Sequence, residues 1–346
     1  MRSISPALSA ILLLALAAPR AQARPEPGAV PDEAPVAPSA PPGGTPVPDG
    51  EAAAAPAPAV GEPGTEGFVD RPRELALSPG QQVRVEVWRG GLELRRRRGG
   101  SARLEVVRER VQDVGCQAVT VGVAPEGIEV STGPRGAGAC TERVQLRLGL
   151  PAGIRLRAAV SDGLLTADSL DGEIELLALG GELRVTGGSG RLIASAGDQD
   201  LVVKGSGAAL TLTTAGGAIR VSGRAGADLT ARSVSGTIAL HLRELAPVRI
   251  RAETLSGDIE ILYPPGPRPS LEIAPGPAGL DADFVLPERP AGEEGGWKVR
   301  AVEAGRPLLQ LRTRSGRIRL LALDGGLQDL EEERGAEEAD TASEKD

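Results

Sequence analysis

An aliphatic residue returns every nine positions through the middle of this chain: Ile174, Leu183, Leu192, Leu201, Leu210 and Ile219. Leu229 and Ile238 follow after ten and nine residues. Each has an apolar partner two residues on, namely Leu176, Val185, Ala194, Val203, Leu212, Val221, Ala231 and Leu240. Two further on the residue is mostly small: Ala178, Gly187, Ala196, Gly205, Thr214 and Gly223. Val248/Ile250 and Ile259/Ile261 continue the pattern with looser spacing. Side chains at i and i+2 share one face of a strand, so each unit predicts a strand of about five residues and a turn of about four. The turns read "LDGE", "GGS", "AGD", "GSG" and "AGG", rich in residues that accept tight corners. The three-and-four spacing of an amphipathic helix is absent.

One such unit cannot bury its inward pair alone, whereas stacked units place like residues over like. The expected fold is therefore all-β: a β-solenoid-like stack of short strands with about nine residues per strand-turn unit. Two units per coil (about 18 residues) and three (about 27) fit the spacing equally. An antiparallel β-sandwich is the alternative, because the same spacing suits short hairpins. The repeat domain is expected over 67–326. It divides into N-terminal capping strands (67–150), regular repeats (151–262) and C-terminal strands (263–326), since solenoid ends expose strand edges that need covering.

The flanks are a different material. Residues 1–23 have Arg2, an apolar run from Ala7 to Ala18 and the small-x-small site Ala21-Gln22-Ala23, which reads as a secretory signal peptide. Residues 24–66 are Pro, Ala, Gly and acids, without the apolar bulk to offset the entropy of ordering, and read as a disordered linker. Residues 327–346 read as an acidic disordered tail; Glu331 to Asp346 holds eight acids against Arg334 and Lys345. Much of the net charge of −8 thus lies outside the repeats. The mature chain offers no second apolar run long enough for a transmembrane anchor. Export, to the periplasm, the cell surface or the medium, places Cys116 and Cys140 in an oxidising compartment, where one disulfide is the simplest reading. Aromatics are scarce (Phe68, Trp88, Tyr263, Phe284, Trp297), so the core is expected to be aliphatic.

The stretch "LRLGLPAGIRLRAAVSDGLLTADSLDGEIELLALGGELRV" resembles a bacterial family of β-strand-repeat putative adhesins, a domain of unknown function. The features that carry it are "LPAG" at Leu150 to Gly153 and the Ser-Gly-x-Ile turns "VSGTIAL" at Val234, "LSGDIEI" at Leu255 and "RSGRIRL" at Arg314. The resemblance spans roughly residues 75–323. It implies a β-solenoid-like fold in a cell-envelope or secreted setting. It brings no catalytic residues.

Candidate chemistry is sparse. Calcium-binding β-rolls need aspartate at the sixth position of G-G-x-G-x-D-x-U-x. In "GGELRVTGG", Gly180 to Gly188, that position is Val185, and "GDQD", Gly197 to Asp200, is the one aspartate-rich turn. Glu173 and Glu175 share an outward strand face, with Arg184 and Arg220 at equivalent outward positions later. A glycosidase would use paired carboxylates in this way, but a solvated charged face explains them as well. His241 is the only histidine and cannot build a zinc site with these cysteines. Arg95, Arg96, Arg97 and Arg98 form the sharpest charge run and a candidate patch for an anionic partner. Export and the lack of interleaved aromatics argue against nucleic acid. The expectation is an exported, non-catalytic, adhesin-like scaffold with no cofactor and an unidentified envelope or surface partner. An envelope binding or sensing module for an anionic glycan or lipid comes second, and a carbohydrate-active β-helix enzyme third.

Overall fold

The computed structural model describes residues 68–69, 71–77, 80–108, 116–135, 140–244, 249–264, 269–276, 278–283, 299–301 and 305–322. The expected signal peptide (1–23), linker (24–66) and acidic tail (327–346) lie outside the described residues, all of which fall within the unit Glu62–Asp346. Among them there is no helix. The N-terminal strands are β1 (Phe68–Val69), β2 (Arg73–Ala76), β3 (Gln82–Arg96), β4 (Ser101–Arg108), β5 (Gln117–Ala124), β6 (Gly127–Pro134) and β7 (Val144–Leu150). The regular repeats run as β8 (Ile154–Asp162), β9 (Leu165–Asp168), β10 (Asp171–Ala178), β11 (Leu183–Thr186), β12 (Ser189–Ala196) and β13 (Leu201–Lys204). They continue as β14 (Ala209–Thr214), β15 (Ile219–Arg224), β16 (Asp228–Ser233), β17 (Ile238–Glu244), β18 (Arg249–Thr254) and β19 (Ile259–Tyr263). β20 (Ser270–Ala274), β21 (Leu280–Ala282), β22 (Val299–Ala301), β23 (Leu308–Thr313) and β24 (Ile318–Ala322) follow.

The nine-residue units alternate between two parallel sheets. In sheet I, Leu156, Ile174, Leu192, Leu210, Leu229 and Ile250 stand in one register column. In sheet II the column is Leu165, Leu183, Leu201, Ile219, Ile238 and Ile259. All of these side chains are buried. A coil therefore holds two units and returns after 18 residues, as from Asp171 to Ser189. The parallel register excludes the antiparallel sandwich; antiparallel pairing is confined to the ends.

At both ends the chain doubles back. The first half of β3 pairs between β6 and β8 in sheet I, and its second half between β7 and β9 in sheet II. The first long strand in sequence is thus an internal coil. Likewise β23 and β24 lie between β18/β19 and β20/β21. Antiparallel strands close the stack: β4 on β7 with β1 and β2 beyond it, β5 on β6, and β22 on β20.

The turns from sheet I to sheet II explain the Ser-Gly-x-Ile motifs. A Cβ on Gly236 would lie 1.9 Å from the Gly217 carbonyl oxygen, one on Gly257 2.1 Å from that of Gly236, and one on Gly316 1.9 Å from that of Gly257. Stacked backbones leave no room there for a side chain. A buried hydroxyl three residues earlier ties each turn down. Ser233 Oγ accepts from the Gly236 N–H at 2.8 Å, Thr254 Oγ1 from Gly257 at 3.0 Å and Thr313 Oγ1 from Gly316 at 2.9 Å. Thr254 and Thr313 also donate to the carbonyls of Gly236 and Gly257 in the adjacent coil, at 3.5 and 3.2 Å.

The N-terminal end is held by other means. Cys116 and Cys140 form a disulfide with Cα atoms 5.7 Å apart. Beside it, buried Arg108 donates to Glu142 Oε1 at 2.9 Å and to the Gln117 carbonyl at 3.0 Å. The Gln117 N–H donates to Glu142 Oε2 at 2.7 Å, and its side-chain amide donates to the carbonyls of Glu142 and Arg89. Glu142 is fully buried. A buried carboxylate is tolerated only when its oxygens are engaged in this way.

Two stability predictions follow from this geometry. Gly236→Ala is expected to cost about 1–3 kcal/mol or more by overpacking. Gly133→Ala, which meets open space, should stay within about 0.5 kcal/mol; urea unfolding followed by circular dichroism separates them. Glu142→Leu removes the carboxylate that holds buried Arg108 and the Gln117 N–H, and is expected to cost about 3–5 kcal/mol, much of it recovered in the double variant with Arg108→Met.

Candidate functional site

The Arg95–Arg98 run ends β3 and enters the turn to β4, at the N-terminal end of sheet II. The strand alternation and the turn send the four side chains to different partners. Arg95 pairs with Glu93 on its own strand. Arg96 reaches Asp171 at 2.7 Å, and Arg97 reaches Glu74 on β2 at 2.5 Å. Arg98 is exposed and makes no ion pair among the described residues. Glu93 is shared with Arg147 of β7, at 3.2 Å. The Arg97 hydrogen bond holds the Glu74 carboxyl below the usual range.

Arg95, Arg96, Arg97, Arg103 and Arg147 line an open depression of about 390 Å3, with Glu93 and Glu105 among them. The five guanidiniums face Glu93 and Glu105 inside the depression, and Asp171 and Glu74 at its margin through the ion pairs of Arg96 and Arg97. Arg95, Arg96 and Arg97 are thus brought together with Arg103 and with Arg147, whose distance in sequence does not reveal it, but these three are already engaged in ion pairs.

The other candidates separate. Glu173 and Glu175 project from the outer face of sheet I, where Arg155 and Arg157 of the preceding coil lie 3.5 and 2.7 Å away. Arg184 and Arg220 are on sheet II, because one nine-residue step changes sheet. They pair there with Glu182 and Asp200. The expected shared outward grouping with Glu173 and Glu175 therefore does not form. The Asp200 carboxyl also accepts from the Ala218 N–H at 2.9 Å, and the Arg220 hydrogen bond lowers its pKa. Its oxygens serve the turn. His241 stands outward on β17, with Nε2 3.4 Å from Glu260 Oε1. Cys116, Cys140 and Glu142 come within 4.8 Å of one another, yet both sulfurs are in the disulfide and the carboxylate is hydrogen-bonded. What sequence reasoning missed is the Arg108–Glu142–Gln117 cluster. These residues are far apart in the chain, and no local pattern marks them.

No family model matches the chain, and no curated protein matches it. Solved structures similar to it include a putative adhesin from Bacteroides fragilis NCTC 9343, 14% identical, with a TM-score of 0.40 over 73% of this chain and 97% of that one. A putative lipid binding protein from Parabacteroides distasonis ATCC 8503 is 11% identical, with a TM-score of 0.32 over 75% and 98%. A putative cell adhesion protein from Clostridium sporogenes ATCC 15579 is 10% identical, with a TM-score of 0.23 over 73% and 99%. The adhesin name is the one to which the turn motifs led; identities and TM-scores this low assign no function.

Proposed function

We propose that this protein is an exported, non-catalytic, adhesin-like scaffold of the cell envelope or the secreted space. The observation that carries this reading is the state of its outer faces. They are ladders in which Arg155, Arg157, Arg184 and Arg220 each meet a carboxylate, and the depressions on them are open. A face of this kind suits contact with another extended surface. Hydrolysis would call for convergent acid and base groups in a closed cleft. The signal peptide read from residues 1–23 supports export. The second reading, an envelope module for an anionic glycan or lipid headgroup, is favoured by the arginine-lined depression and the exposed Arg98.

Both readings meet one experiment. The secreted chain is expected to begin near Arg24 by N-terminal sequencing and to leave a broad glycan panel uncleaved. Binding to sulfated polysaccharide and to anionic vesicles is compared for the wild type and for Arg95→Glu/Arg97→Glu/Arg98→Glu, at low salt and at about 0.5 M salt, where exposed charges are screened. Unchanged binding supports the scaffold alone. A loss of about tenfold or more, mirrored by salt, establishes the anionic site.

A further inference from the structure

The two sheets end differently at the N-terminal side of the stack. Sheet II finishes in short strands guarded by charge and proline: β2 carries Arg73 and Glu74, and Arg71-Pro72 separates it from the two-residue β1. Such devices keep a sheet edge from pairing with another chain. Sheet I finishes in β5, Gln-Ala-Val-Thr-Val-Gly-Val-Ala, eight residues without charge or proline. Among the described residues no strand pairs with its outer edge. Val119, Val121 and Val123 stand opposite Thr132, Val130 and Ile128, whose side chains are buried, so the valine row carries the core face past the last rung. Val123 is 68% exposed.

The backbone phase of β5 is fixed. The Arg135 N–H donates to the Cys116 carbonyl, so Cys116, Ala118, Thr120 and Gly122 turn their polar groups toward β6. Alternation leaves the amides and carbonyls of Val119, Val121 and Val123 facing out. Gln117, in the same phase, gives its N–H to Glu142 and its carbonyl to Arg108. The disulfide and this buried cluster present the edge as a rigid strand.

We propose that β5 is a dimerisation strand: two copies of this chain join sheet I edge to edge, antiparallel, about a two-fold axis at Val121. In that register Val121 exchanges N–H···O=C bonds with the partner's Val121, and Val119 with the partner's Val123. An axis perpendicular to the sheet keeps both core faces on one side, so the valine rows cover each other. A strand that meets itself must avoid like charges in apposition, and β5 carries none. The proposal is independent of the arginine depression.

The test uses the full mature chain with its disulfide formed. Sedimentation velocity from about 1 to 100 µM should show a dimer whose dissociation constant rises tenfold or more in Val123→Lys, with the circular dichroism spectrum unchanged. Val121→Cys should cross-link to a covalent dimer on mild oxidation, since hydrogen-bonded antiparallel partners lie about 5.5 Å apart at Cα. Val123→Cys, which faces the partner's Val119, should not. A wild type that stays monomeric across the range overturns the proposal and leaves the edge to a strand of another protein. A dimer that persists unweakened in Val123→Lys, or Val121→Cys and Val123→Cys cross-linking equally, overturns it as well.

Discussion

Every coil of this solenoid must lie one β-ladder spacing, about 4.7–4.9 Å, above the coil before it, in the turns as well as in the strands. Strands meet this requirement by hydrogen bonding across the ladder. Turns do not, because a Cβ pointing along the stacking axis would enter the neighbouring backbone. The carbonyls under Gly163, Gly181, Gly236, Gly257 and Gly316 come to 1.6–2.1 Å from where a Cβ would sit. Glycine is required here for close approach rather than for left-handed dihedrals, since most of these residues have ordinary φ values. The hydroxyls of Ser233, Thr254 and Thr313 complete the corner by giving the turn amides partners that a closed stack would otherwise deny them.

That spacing constraint shapes the core. Like stacks on like along each column, so the interior is a set of aliphatic ribs whose widths need only match across two sheets. Ala158, Ala194, Ala231 and Ala252 share a column with Leu176 and Leu212, so the interior varies in width from coil to coil. It also shapes the ends. A coil at the end of a stack has neighbours on one side only and opens at low free energy. Here the first and last long coils in sequence, β3 and β23/β24, are inserted with neighbours on both sides. Antiparallel strands instead back the outer rungs β6 and β7 at one end and β20 at the other.

The periodic part of this arrangement was legible because burial repeats with the strand alternation. Ile174, Leu183, Leu192 and Leu201 lie inside as their spacing demands, and the expectation of an oxidising compartment pointed to the Cys116–Cys140 bond. The number of units per coil was not legible, since a nine-residue beat is the same for two faces or three. That ambiguity is why Arg184 and Arg220 read as companions of Glu173 and Glu175 although they lie on the other sheet. The insertion of β3 was hidden because its partners, β6 to β9, come later in the chain and leave no local trace. The Arg95–Arg98 run read as free charge because Asp171 and Glu74 reach it from separate strands.

The two ends of the molecule therefore carry different information from its middle. In the regular coils, the register dictates what each inward and turn position must be, and little freedom is left for recognition. The N-terminal end escapes that dictation. It holds the disulfide, the buried Arg108–Glu142 pair, the arginine-lined depression and an uncharged strand edge, none of which repeats. A covalent tie is placed where no further coil supports the chain, and on a loop-entropy account a link closing this span is worth about 3 kcal/mol. The buried ion pair adds little net stability of its own, but it allows one arrangement of β4, β5 and the chain around Cys140. Rigidity bought at that end has a use only if the surface it fixes meets something, and this is the physical reason to look for the partner there before looking along the outer faces.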